Sequence, residues 1–317
     1  MSEANESAAA AAAGEGAGER EERVLVTPLH AQHVQLGARF RAFGPAEVVA
    51  DYGVAVDEPL PLDHPLMVDL SFQGAIRVFG VGAQRFLQAM LSADIQKLDR
   101  VGSSCYALML TSEAYIIDVA YVVRTGEDEF MLVVDAPVVD ECMEWMDNNS
   151  RIAMKGERVF PDVEVADQTG QLATIALMGP GTVQLLQELA GFRGAGAGAA
   201  GVDADDAAGA IEMARDLEAG FHFDDRIANM PMMMLSDFEV EGSVLVYCPR
   251  QVAAPLWEAL LGFEELQVVG LDQYVSIRRA HRTWLDSVED GKYQTPQQAG
   301  LEHLLRESGG YVGARAL

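Results

Sequence analysis

At 317 residues, half of them hydrophobic, the chain is long enough to bury the core of one large domain or two ordinary ones. Its 49 acidic residues against 22 Lys and Arg give a net charge of −27. That excludes a nucleic-acid-binding surface and argues against an anionic membrane surface, because both need positive charge.

Cys105, Cys142 and Cys248 are far apart and odd in number, and no C-x-x-C pair occurs. Neither a disulfide framework nor a zinc site is indicated, and no metal is expected. No basic leader opens the chain, and no apolar run approaches the ~18 residues of a membrane span. A cytoplasmic protein is the expectation.

Residues 1–23 are Ala, Glu, Gly and Ser with few large side chains, so they are expected to be a disordered tail. Thr27-Pro28 suits a helix N-cap followed by proline at the first helical position. Pro45 to Pro65 is rich in Pro, Asp and Gly and reads as irregular chain. From there the apolar pattern sharpens. Ala75–Phe79, Cys105–Leu110, Tyr115–Val123 and Phe130–Val134 read as strands. Phe86, Leu87, Met90 and Leu91 form one helical face, and Val138, Val139, Cys142, Met143 and Met146 form another. The order is β-α-β-β-β-α.

A similar order recurs. Leu172–Met178 is a strand broken by Gly179-Pro180. A helix follows on Val183, Leu185, Leu186 and Leu189, then strands at Met230–Leu235 and Ser243–Cys248, then a helix on Leu256, Trp257, Leu260 and Leu261. The predicted class is α+β: two α/β lobes on largely antiparallel sheets. Residues 194–210 read as a low-complexity loop. Its G-x-G-x-x-G (Gly196, Gly198, Gly201) follows no strand, so dinucleotide binding fails its context test. Asp203, Asp205 and Asp206 lack the spacing of a calcium loop.

Tyr106 to Arg124, Y-A-L-M-L-T-S-E-A-Y-I-I-D-V-A-Y-V-V-R, resembles without a gap the Y-T-L-M-L-N-E-D-G-G-V-I-D-D-L-I-V-Y-R of the aminomethyltransferase family, the T-protein of glycine cleavage and its folate-dependent relatives. T-P-L-H-A-Q-H-V-Q-L-G-A-R-F from Thr27, V-D-L-S-F-Q-G-A-I-R-V-F-G from Val68, L-M-G-P-G from Leu177 and T-P-Q-Q-A-G-L from Thr295 resemble the family's motifs in the same order. The resemblance runs through nearly all of residues 24–317.

The resemblance implies a folate-binding fold of two lobes, with residues 24–70 and 165–317 in the first and 71–164 in the second, and a barrel lobe beyond. It implies one-carbon transfer, of an aminomethyl or methyl group, to tetrahydrofolate or a related pterin in a central channel. The family's catalytic carboxylate falls at Val119. The adjacent Asp118 would point to the other face of its strand and is read as structural. The cofactor positions carried over are Asp69, Tyr106, Phe238, Glu241, Leu245 and Arg278. Leu245 replaces the glutamate that grips the pterin, and Phe238 replaces a tyrosine. Each pterin N–H left without its acceptor would cost about 1–3 kcal/mol, so a weakened tetrahydrofolate site is expected. Arg278 lies in a cluster with Arg279, His281 and Arg282 that suits either an anionic tail or a solvated face.

Two functions are compatible with these residues. One is a divergent aminomethyltransferase-like enzyme. The other is a catalytically inactive T-protein-like scaffold or regulatory subunit that needs a partner chain. The family's barrel lobe lies past the position of Leu317, so the expected partners are a separate barrel-domain protein, a carrier protein or a second copy in a homo-oligomer.

Overall fold

Strands that are apolar on both faces must be covered on both sides, and that requirement shapes this molecule. The computed structural model describes residues 24–53, 61–191, 204–224, 227, 232–237, 240, 242–280 and 294–317. Its first elements are β1 (Leu25–Val26), α1 (His30–Gln35), β2 (Arg39–Phe43), β3 (Ala46–Asp51) and β4 (Leu66–Asp69). Next come β5 (Gly74–Phe79), α2 (Ala83–Met90), β6 (Ser104–Leu110), β7 (Ile116–Gly126), β8 (Glu129–Val134) and α3 (Val139–Ser150). A short ribbon, β9 (Ala153–Met154) and β10 (Glu157–Arg158), leads to β11 (Glu164–Asp167). The rest is β12 (Leu172–Met178), α4 (Thr182–Leu189), α5 (Ala204–Glu218), β13 (Phe221–Asp224), β14 (Met232–Asp237), β15 (Ser243–Pro249), α6 (Ala253–Leu260), β16 (Gln267–Val268) and α7 (Leu271–Ala280).

Two sheets dominate. One has six strands in the order β13-β14-β15-β12-β4-β16, antiparallel except where β16 joins β4. The other has five antiparallel strands in the order β11-β5-β8-β7-β6. A small third sheet, β1-β3-β2, lies beside them. This mixed, largely antiparallel architecture is the predicted α+β class.

Side-chain alternation sorts the core into layers. Along β15, Val244, Val246 and Cys248 turn to one core with Leu185, Met213 and Trp257 of α4, α5 and α6. Leu245 and Tyr247 turn the other way. Along β7, Ala120 and Val122 meet Phe86, Cys142 and Met146 of α2 and α3, while Tyr121 and Val123 face Leu245 and Tyr247 across the centre. The two sheets therefore meet through a shared central core, with helices over their outer faces. Helix α7 enters that centre with Tyr274 and Ile277. Its approach is tight: a Cβ at Gly270 would lie 2.2 Å from the Ala50 carbonyl oxygen.

Several expectations change. The stretch Pro45 to Pro65 contains strand β3, whose Ala46 and Val48 reach the central core. The surrounding Pro, Asp and Gly hide this short apolar run. Thr27 does not cap the first helix, which starts at His30. The Thr27 hydroxyl instead bonds Asp69 and accepts the Leu29 N–H at 3.2 Å. The 194–210 loop is shortened by α5, which begins at Ala204. Alanine favours helix, and Ala210, Met213 and Leu217 supply a face that packs on the core. The remainder of that loop, with its glycine motif, lies outside the described residues, as does the 1–23 tail.

Residues 294–317 lie beside the second of the two dominant sheets. They cover the five-stranded sheet: Leu301 and Tyr311 pack on Leu108, Leu110 and Ile116. Arg306 ties them down by donating to the carbonyls of Ala93 and Gln88 at 2.6 and 2.9 Å. Strand β11 pairs antiparallel with β5 at the edge of the same sheet.

Candidate ligand site

Where the two sheets and α7 converge, a cavity of about 50 Å³ remains. Strands β6 and β7 contribute Tyr106, Val119 and Tyr121. Strand β8 and the residue after it add Val133, Val134 and Asp135. Strand β15 contributes Leu245 and Tyr247, α7 adds Tyr274 and Arg278, and the turn after β4 brings Leu70 and Gln73.

Four of the predicted positions therefore meet: Tyr106, Val119, Leu245 and Arg278. Val119 and Leu245 come from different sheets and bring only hydrocarbon to the wall. Tyr106 sits opposite Tyr121 in the β6–β7 register, with ring centroids 4.7 Å apart. The Tyr121 hydroxyl shares a hydrogen bond with Ser104 Oγ at 2.8 Å. Burial raises the phenols of Tyr106, Tyr121, Tyr247 and Tyr274 above the usual tyrosine range, so all four are neutral donors at physiological pH.

Arg278 belongs to no solvated face. Its side chain is only 3% exposed, and its Nη1 donates to the Asp237 carboxylate, which is equally buried. It also donates to the Tyr106 and Tyr274 hydroxyl oxygens at 3.3 and 3.4 Å. Burial alone would weaken the guanidinium charge. Tyr274, Tyr106 and Asp237 more than offset it and hold the group above its ordinary value. A buried arginine needs such partners, because an unpaired buried charge is strongly destabilising. His281 and Arg282, grouped with it in the sequence, lie outside the described residues, as do the predicted site residues Phe238 and Glu241.

Asp69 is not among the residues that line the cavity. Its carboxylate is used by the fold, accepting from His33 Nε2 and the Ser71 N–H, both at 2.9 Å, and from the Thr27 hydroxyl. Burial pushes its pKa up, but the His33, Ser71 and Thr27 hydrogen bonds outweigh that and hold it below the carboxylate range. His33 Nδ1 in turn meets the Tyr52 hydroxyl at 2.7 Å.

Asp118 is fully buried on the outer face of β7 and accepts the Asp135 N–H at 3.0 Å. Burial and the neighbouring Asp135 raise its carboxyl well above the usual range. It does not reach the cavity that Val119 lines.

Asp237, Tyr121, Tyr274, Gln73 and Asp135 were not anticipated as site residues. Tyr274 had a local signal, since it precedes Arg278 by one helical turn. Asp237 had none: the predicted strand stopped at Leu235, whereas β14 runs on to Asp237. Among the described residues, no group of three or more His, Cys, Asp or Glu side chains is placed to hold a metal ion. None of their helices is long and apolar enough to cross a membrane.

Two largely antiparallel sheets meeting face to face around a tyrosine-lined cavity define a two-lobed α+β protein with a candidate ligand site. The family profile described as the GCVT N-terminal domain matches residues 29–197, and the chain belongs to that family. It is 25% identical over 296 residues to an aminomethyltransferase of Desulfitobacterium hafniense, covering 92% of this chain and 73% of that protein. An aminomethyltransferase of Symbiobacterium thermophilum is 28% identical over 300 residues, with the same coverage. The solved glycine cleavage system aminomethyltransferase T from Bartonella henselae superposes with a TM-score of 0.70 at 22% identity, again over 92% of this chain and 73% of that one. That match shows a shared fold.

Proposed function

We propose that this protein is a T-protein-like binding or regulatory subunit of one-carbon metabolism that acts with a partner chain, and not an aminomethyltransferase working in the family's usual mode. One observation carries the reading: Val119 and Leu245, where the family resemblance expects a catalytic and a pterin-gripping carboxylate, both face the same cavity. Tetrahydrofolate does not fit the residues present. Val119 and Leu245 offer hydrocarbon where the resemblance expects acceptors, Asp135 is the one carboxylate among the lining residues, and Arg278 is already paired with Asp237. A partner would be a carrier protein or a second copy of the chain.

Calorimetric titration with tetrahydrofolate tests this. The natural protein should show no micromolar binding, and the double variant Val119→Asp/Leu245→Glu should gain at least about tenfold in affinity. Tight binding by the natural protein would favour the second reading, one-carbon transfer with tetrahydrofolate or a related pterin. That reading draws on Tyr106 and Arg278, two matched family positions that line the same cavity. Ammonia release from an aminomethyl-loaded carrier would establish it.

A further inference from the structure

We propose that Asp237 is a specificity-determining residue: as the built-in counter-ion of Arg278 it bars anions from the cavity and reserves it for a small uncharged ligand bound at the Tyr247 hydroxyl. The inference rests on the reading of this cavity as a ligand site and goes beyond it by assigning the ligand's charge and size.

A guanidinium is permanently charged. Once removed from water it needs a negative partner, supplied either by a ligand or by the protein. Here the protein supplies it. Asp237 reaches Arg278 from the end of β14, with both side chains 3% exposed. Tyr106 and Tyr274 take further guanidinium N–H groups through their hydroxyl oxygens. A carboxylate or phosphate entering the cavity would find the cation already balanced. It would face Asp237 behind the guanidinium and Asp135 in the cavity wall, in a setting where screening is weak. An uncharged ligand meets no such penalty.

The polar anchor is Tyr247. It is 4% exposed and lines the cavity, and among the described residues its hydroxyl has no hydrogen-bond partner. Buried hydroxyls are nearly always bonded, so this one is available to a ligand. Leu245 and Val119 offer an apolar surface to a methyl or methylene group. The volume of about 50 Å³ corresponds to roughly three to five water-sized units. The ligand class is therefore a small amide or alcohol, or an uncharged group of that size at the end of a larger molecule.

Acetamide and acetate share a shape and differ in charge, so saturation-transfer NMR on their methyl signals in the presence of the full-length protein separates the possibilities. The natural protein should transfer at least about fivefold more to acetamide. Tyr247→Phe should lower the acetamide signal. Asp237→Asn should reverse the preference toward acetate. If Asp237→Asn does not fold alone, added acetate should restore its near-UV circular dichroism by replacing the missing counter-ion.

The proposal is overturned by equal or greater transfer to acetate in the natural protein, or by unchanged preference in a folded Asp237→Asn. Failure of acetate to rescue an unfolded Asp237→Asn would overturn it as well. Tetrahydrofolate binding by the natural protein would defeat the functional reading. The acetate and acetamide comparison in Asp237→Asn reports separately on this residue.

Discussion

Asp118 and Val119 are adjacent in β7 and point to opposite faces of its sheet: Val119 lines the cavity, while Asp118 lies buried beneath α3 and accepts the Asp135 N–H at 3.0 Å. The Asp118 carboxyl therefore cannot enter the cavity without a change of strand register.

The buried carboxyl has a measurable consequence. Burial, with Asp135 nearby, raises the folded pKa of Asp118 well above 3.8. Below that value both folded and unfolded chains carry the proton. As pH rises past it, only the unfolded chain ionises at first, so stability falls until the folded group ionises too. Asp118→Asn removes this term. Relative to the variant, the natural protein should lose up to about 1.4 kcal/mol per pH unit as the pH rises above the unfolded carboxyl's value, until the folded group ionises. Urea unfolding at several pH values reads this directly, and parallel stability curves for the two proteins would contradict it.

The Arg278–Asp237 pair predicts a non-additive pattern. Arg278→Met should cost about 3–5 kcal/mol, because it takes the guanidinium away from a buried carboxylate. Combining it with Asp237→Leu should recover most of that loss, as an apolar pair of similar volume replaces the ions. Denaturant midpoints of the two single variants and the double variant form the cycle. Additive losses would show that the two groups are not coupled.

The docking of residues 294–317 rests on Leu301, which is 4% exposed against Leu108, Leu110 and Ile116. Leu301→Ala should destabilise by about 2–4 kcal/mol, as expected for a truncated core leucine. The Arg306 and Val312 amides, which donate to the Ser92 and Ala89 carbonyls at 2.9 and 3.1 Å, should exchange hydrogen faster. Unchanged exchange at both amides would mean that the segment is held by other contacts.

Much of the molecule is legible in one dimension. The alternating apolar runs around Tyr106 to Val134 specify antiparallel strands, because successive side chains must turn to opposite faces. The same alternation separates Asp118 from Val119. The strand at Leu172–Met178 matches its predicted bounds. The order of family-like motifs marks Val119, Leu245, Tyr106 and Arg278 before any coordinates are considered. Less legible were α5, concealed by alanine-rich low complexity, and β3, hidden among turn residues.

Local pattern thus determined the largely antiparallel α+β class and the direction of each strand's side chains. The charge state of the site was a tertiary matter. Arg278 and Asp237 are 41 residues apart, and the Tyr247 hydroxyl, buried where the two sheets meet, has no hydrogen-bond partner among the described residues. Propensity and periodicity act over a few residues, whereas desolvation and ion pairing depend on which distant segments share a dry interior.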